Sequence, residues 1–252
     1  MTRGLILALQ FLTRLPVPTV PDYRPEDLSR CAVWFPAVGL LLGAGVWAAL
    51  YAGASLDPWL GALLALLVWT GLTGALHLDG LADLCDALGA AHRDRTRFLE
   101  VLRDPHVGTF GATALIAAIV SKLVLLGVLV RRAPQAASAL PLLAAWSRLG
   151  AIAWSRWLPA LSEGTAQRFA WHTSWRMIAC WTAVLLAGSA LIAPALLAAP
   201  VAILVWRYWL KHRLGGQTGD CLGAGIELVE IALLLATLAG AATGAAPLSM
   251  AP

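Results

Sequence analysis

Long apolar runs separated by shorter polar ones give this chain its pattern. The runs fall at 33–53, 59–76, 110–130, 135–154, 177–193, 195–206 and 222–242. Most approach the roughly 20 residues that a helix needs to cross a bilayer. Inside lipid the backbone has no water to bond, so helices are the economical way across. Strict period-two alternation is absent, which argues against a membrane barrel. The expected fold is therefore all-α: a polytopic integral membrane helical bundle of about seven transmembrane helices, the sixth rather short. Residues 3–15 predict a short amphipathic or interfacial helix, followed by a loop rich in proline (Pro16, Pro18, Pro21, Pro25). In the first span Gly39, Gly43 and Gly45 suit close helix packing. Asp57-Pro58 predicts a turn. No internal repeat or soluble module stands out, so residues 1–252 are expected to form a single membrane-embedded domain.

Composition sharpens this class. Of 252 residues, 60% are hydrophobic and only 13% charged, against roughly a quarter charged in soluble domains. So few charges could not cover a soluble surface of this size. Arg14 and Leu15-Pro16-Val17-Pro18 stand where a secretory leader would carry a small-residue cleavage site, so no signal peptide is expected. Cys31, Cys85, Cys180 and Cys221 are scattered, without metal-finger spacing, and are read as packing residues.

The net charge of +4 calls for no nucleic-acid partner, because positive cytoplasmic loops account for it. If residues 77–108 are cytoplasmic, so are the loops 155–176 and 207–219, together with Arg24 and Arg30. Arg131 and Arg132 then lie on the far side. This orientation predicts a multi-pass protein with its polar segments facing the cytoplasm.

Three of those polar segments bear candidate chemistry. The first is His77-Leu-Asp-Gly-Leu-Ala-Asp-Leu-Cys-Asp86. As a helix it stacks Asp79, Asp83 and Asp86 on one face, four and three residues apart. Like charges in adjacent turns repel, and a divalent cation with oxygen ligands is the usual remedy. Mg²⁺ typically takes one or two carboxylates plus substrate phosphates, which points to phosphoryl transfer. Gly80, on another face, could admit a substrate or a neighbouring helix. His77 could order a carboxylate, meet a phosphate or sit as a satisfied interfacial histidine.

The second segment is Arg103-Asp-Pro-His-Val-Gly-Thr-Phe-Gly111. Pro105 biases Asp104 towards an extended or turn conformation. Gly108 and Gly111 allow close backbone approach where the next span begins, a place suited to anions. Arg103 offers a planar fork for phosphate.

The third segment is Gly215-Gly-Gln-Thr-Gly-Asp-Cys-Leu-Gly-Ala224, followed by Glu227 and Glu230. Asp220, Glu227 and Glu230 share a face if a helix begins near Asp220. Intramembrane carboxylates are by default a functional hypothesis, and the glycines could cradle phosphate. Together the segments predict a divalent-metal site with room for a diphosphate. Basic residues within 93–103 or 207–213 would hold the remaining charge. The loops also contain His92, Arg93, Glu163, Arg168 and His172.

Taken in order, His77-x-Asp79-Gly80-x-Ala82-Asp83-x-x-Asp86, Arg103-Asp104-x-x-Val107-Gly108-Thr109-x-Gly111 and Gly215-Gly216-x-Thr218-Gly219-Asp220-x-Leu222-Gly223-Ala224 resemble the cobalamin synthase (adenosylcobinamide-GDP ribazoletransferase) family. So do Phe11-Leu12-Thr13-Arg14-Leu15-Pro16 and Phe35-Pro36-x-Val38-Gly39. The resemblance implies a Mg²⁺-dependent inner-membrane enzyme that joins adenosylcobinamide-GDP to α-ribazole or its 5′-phosphate and releases GMP. On that reading Asp79, Asp83, Asp86 and Asp220 bind metal. Asp79, Asp83, Asp86, His77 and Asp104 form the catalytic group. Gly80, Arg103, Gly108, Gly216, Thr218, Gly219 and Glu227 bind substrate. Membrane lipid surrounds the protein, and a homo-oligomer is compatible with the sequence. Two alternatives remain open at this point: a CDP-alcohol phosphotransferase, whose acidic motif is similar, and an ion-coupled transporter using Asp, Glu and Lys122.

Overall fold

A computed structural model describes residues 2–21, 27, 30–91, 94–162 and 173–244. His92, Arg93, Glu163, Arg168 and His172 lie outside the described residues, as does Arg24. The described chain is helical, with α1 Thr2–Leu12, α2 Phe35–Ala54, α3 Pro58–Thr73, α4 Leu76–Ala91, α5 Arg95–Val101, α6 Thr109–Arg132, α7 Leu140–Trp157, α8 Trp175–Ile192, α9 Ala199–Arg213 and α10 Gly219–Gly244. Short 3₁₀ turns precede α2, α7 and α9.

The span count differs from the expected seven. Five segments are long and apolar enough to cross alone: Ala32–Ala54, Thr109–Arg132, Pro134–Trp157, Trp175–Ile192 and Gly219–Ala242. The apolar run 59–76 does not continue straight. Asp57 caps α3 by accepting from Trp59 N and Leu60 N, and the helix stops at Gly74 and Ala75, both left-handed (φ 59° and 58°). Two successive left-handed residues cannot extend a right-handed helix, so α4 leaves at 83° to α3. The pair counts as a sixth span only if the elbow is included. Arg14 secures the elbow: its N–H donates to Leu72 O at 2.7 Å. A Cβ on Gly74 would lie 2.7 Å from Arg14 Cγ. The run 195–206 becomes α9, whose 15 residues reach only about 22 Å at 1.5 Å per residue, short of the ~30 Å hydrocarbon core.

The bundle is organised around α7, in which every residue from Leu142 to Ser155 is buried. α2 packs closely on α7 and α3. Gly39 and Gly43 make that approach possible, since a Cβ on Gly39 would lie 2.5 Å from Ala144 O and one on Gly43 2.5 Å from Pro141 Cα. α10 packs against α4, α7 and α6, and α4 also packs against α6. The acidic helix is thus held between two spans and not left as a solvated appendage.

Candidate active site

The acidic helix and the start of α10 meet at a seam of glycines. Gly80 is buried, and a Cβ there would come 3.0 Å from both Cα and O of Asp220. One on Gly223 would come 3.4 Å from His77 Cα. Small residues let two backbones approach this closely. Of the two occupants possible beside Gly80, the structure has the neighbouring helix.

The seam sets the geometry of the carboxylates. Asp79 is exposed on α4, while Asp83 and Asp86 are half-buried one and two turns further on. Asp220, half-buried in the first turn of α10, joins them: the charges of Asp79, Asp86 and Asp220 all bear on Asp83. Thr218 forms the cap of α10. Its hydroxyl accepts from Cys221 N at 3.3 Å and donates to Asp220 at 3.2 Å. Its place in this segment is that of an N-cap. Gly219 is exposed with open space beside it.

Asp86 differs from its neighbours. Its two oxygens accept from Gly108 N at 2.7 Å and Gly111 N at 2.8 Å. The carboxylate therefore binds the positive N-terminus of α6 and ties the second motif to the first. A side chain on Gly108 or Gly111 would run into this carboxylate. Gly108 thus serves the Asp86 contact directly, a role that spacing alone did not separate from phosphate binding.

Several predicted site residues lie elsewhere. Asp104 is exposed and folded on its own turn, accepting from His106 N at 3.0 Å with His106 Nδ1 at 2.6 Å. These bonds hold its carboxyl below the usual carboxylate range. Pro105 and the local turn satisfy it in this structure. Arg103 is exposed in the same loop. Gly216 is buried against Pro159 and Leu161, where a Cβ would lie 2.5 Å from Pro159 O. There Gln217 N donates to Pro159 O and Leu161 N to Gln217 O, each at 2.9 Å. Gly216 lets the loop pack closely on Pro159 and Leu161.

His77 and Glu227 belong to a separate, interior group. Lys122 of α6 places Nζ 2.6 Å from Glu227 and 2.5 Å from Glu230 of α10, and 4.4 Å from the Trp69 ring centroid. Arg148 of α7 pairs with Glu230 and donates to Ser147 Oγ at 2.9 Å. Arg148 and Glu230 are wholly buried. His77 is 3% exposed, and neither ring nitrogen has a hydrogen-bond partner. Its charged neighbours are Arg148, Glu230 and Lys122, so it sits beside this interior group. Glu227 is engaged by Lys122 in the same interior group. The sequence flagged Lys122 and both glutamates as intramembrane charges. Their pairing, with Arg148, needs three helices to come together, and no local signal announces it.

Among the described residues no group of three or more His, Cys, Asp and Glu side chains converges tightly enough to hold a metal alone. The donor set nevertheless fits Mg²⁺, which takes one or two carboxylates and completes its shell with phosphate oxygens and water. Asp79, Asp83 and Asp220 carry like charges beside one another, with no cation paired to them among the described contacts.

The fold and the seam define a helical membrane bundle with carboxylates gathered where two of its helices meet. Comparison narrows the class. Residues 4–238 match the family described as cobalamin-5-phosphate synthase. The chain is 51% identical to the adenosylcobinamide-GDP ribazoletransferase of Thiobacillus denitrificans over 92% of its own length and 94% of that protein. It is 53% identical to the enzyme of the same name from Laribacter hongkongensis, over 92% and 95%. The chain belongs to the cobalamin-5-phosphate synthase family. No solved structure matches it. The family leaves no support for a CDP-alcohol phosphotransferase or an ion-coupled transporter.

Proposed function

We infer that this chain is an adenosylcobinamide-GDP ribazoletransferase. It transfers the cobinamide-phosphate group of adenosylcobinamide-GDP to α-ribazole or its 5′-phosphate, with GMP as the second product. The reading is supported by the family match over residues 4–238, and the observation that carries it is the meeting of Asp79 and Asp83 with Asp220 at the α4–α10 seam. In the reaction a ribazole hydroxyl oxygen bonds to the corrinoid-side phosphorus. The bond from that phosphorus to the bridging oxygen breaks, and GMP leaves with the bridging oxygen. The hydroxyl proton passes to a carboxylate of the seam and then to water.

Asp79, Asp83 and Asp220 are the residues that would hold Mg²⁺. Bound there, the ion would supply charge neutralisation of the diphosphate and of the leaving oxygen. Asp86 keeps the N-terminus of α6 in place beside them. Basic residues predominate in the loops flanking this seam, which supports a cytoplasmic active site in a bacterial inner membrane. The test is GMP release from adenosylcobinamide-GDP and α-ribazole by membranes containing the protein, with Mg²⁺ and with chelator. Release that depends on both substrates and on Mg²⁺ is expected. Equal release in chelator would remove the metal from the reading, and no release at all would remove the reaction.

A further inference from the structure

A cleft of about 480 Å³ opens where α5 and the C-terminal ends of α4 and α9 come together. Leu88, Phe98 and Leu161 supply apolar surface to its lining. Its rim carries the exposed cations Arg95 and Arg213, with His212 beside them. One carboxylate, Asp94, also lines it. That carboxylate is already committed to capping α5, accepting from Thr96 N at 2.8 Å and Arg97 N at 3.3 Å. Two guanidinium groups beside apolar surface select a flat apolar body that carries an anion.

One wall leads from this cleft towards the carboxylate seam. Leu161 is hydrogen-bonded to Gln217, on the loop that leads into Asp220. On that loop the Gln217 side chain is fully buried with neither end of its amide paired, an arrangement that is costly unless a partner completes it.

We propose that this cleft is a subsite for a nucleoside monophosphate: a planar heteroaromatic base on the apolar surface and a phosphate at Arg95 and Arg213. The volume lies within the ~300–1,000 Å³ range of small-molecule sites, and a corrin ring with its adenosyl group is too large for it. The proposal rests on the reaction inferred above for its two possible occupants. They are the guanosine monophosphate portion of the first substrate and α-ribazole 5′-phosphate, which share this chemistry.

Direct binding separates them. The full chain in detergent is dialysed to equilibrium against GMP or against α-ribazole 5′-phosphate, as wild type and as Arg213→Ala, Arg95→Ala and Arg213→Lys. Each alanine variant is expected to weaken the occupant about tenfold or more, with Arg213→Lys intermediate. Loss for GMP alone assigns the leaving nucleotide, and loss for α-ribazole 5′-phosphate alone assigns the nucleophile. Equal loss for both with an unchanged thermal midpoint means that the two enter in turn. In turnover the same variants should raise KM for the assigned substrate and leave kcat nearly unchanged. Wild-type affinity for both compounds in Arg95→Ala and Arg213→Ala overturns the proposal, as does a wild type that binds neither. A wild type that binds through these arginines yet never releases GMP from adenosylcobinamide-GDP keeps the subsite and refutes the reaction.

Discussion

Two sets of buried or half-buried charges occupy neighbouring stretches of α10, and they are built on opposite principles. Near the N-terminus, Asp220 joins Asp79 and Asp83 of α4, so charges of one sign accumulate. Two to three turns deeper, Glu227 and Glu230 meet Lys122 and Arg148, so two anions face two cations. The inner group is neutralised from within. Leaving one of its members alone in low dielectric would cost several kcal/mol, so its role is to lock α6, α7 and α10 in register. Among the described residues the outer group has no paired counter-charge, which is why the proposed reading completes it with a metal and a phosphate.

Substitutions can break this comparison. Asp83→Asn should have the largest effect on chemistry, lowering GMP release by about a hundredfold or more with membrane insertion and thermal midpoint retained. Glu230→Gln should behave in reverse. It leaves Arg148 and Lys122 under-paired and should destabilise the fold by about 3–5 kcal/mol, read as a lower thermal midpoint in detergent, with activity per folded molecule largely kept. Adding Arg148→Met to Glu230→Gln should recover part of that loss in a double-mutant cycle. If Glu230→Gln abolished turnover without touching stability, the division between the two groups would fail.

Asp86→Asn sharpens the boundary, because Asp86 sits with the outer group but spends its oxygens on α6. The amide keeps one acceptor of two, so an intermediate loss of about tenfold in activity is expected, with a stability loss of about 1–3 kcal/mol. Asp104→Ala should matter least. His106 holds the Asp104 carboxyl low, so this small stabilisation is present above the usual carboxylate range. It fades as pH falls through the lowered value. The variant should therefore differ from wild type in thermal midpoint only above that range and converge with it in acid. A severe activity loss at neutral pH would return Asp104 to the catalytic group.

The chain's order of helices and its three polar motifs are legible in its residues, because lipid imposes a length and composition on every crossing segment. The stacking of Asp79, Asp83 and Asp86 follows from helical spacing in the same way. Spacing could not say which carboxylate a neighbour already uses. Asp86 was grouped with its two companions because they share a face, whereas the backbone of α6, reached through Gly108 and Gly111, sets it apart. Nor could hydropathy register that two left-handed residues, Gly74 and Ala75, turn one apolar run into an elbow. His77 and Glu227 read as site residues because a polar side chain near a motif looks alike whether it faces water or the interior.

By itself, then, the sequence determined the class: a helical membrane protein with acidic and glycine-rich segments at the ends of its spans. That information is local, carried by run length and by residues within a few turns of one another. The tertiary structure alone decided which charges neutralise one another and which are left for a ligand. Lys122, Arg148 and Glu230 are far apart along the chain, and charges that distant interact only after folding brings their helices into contact.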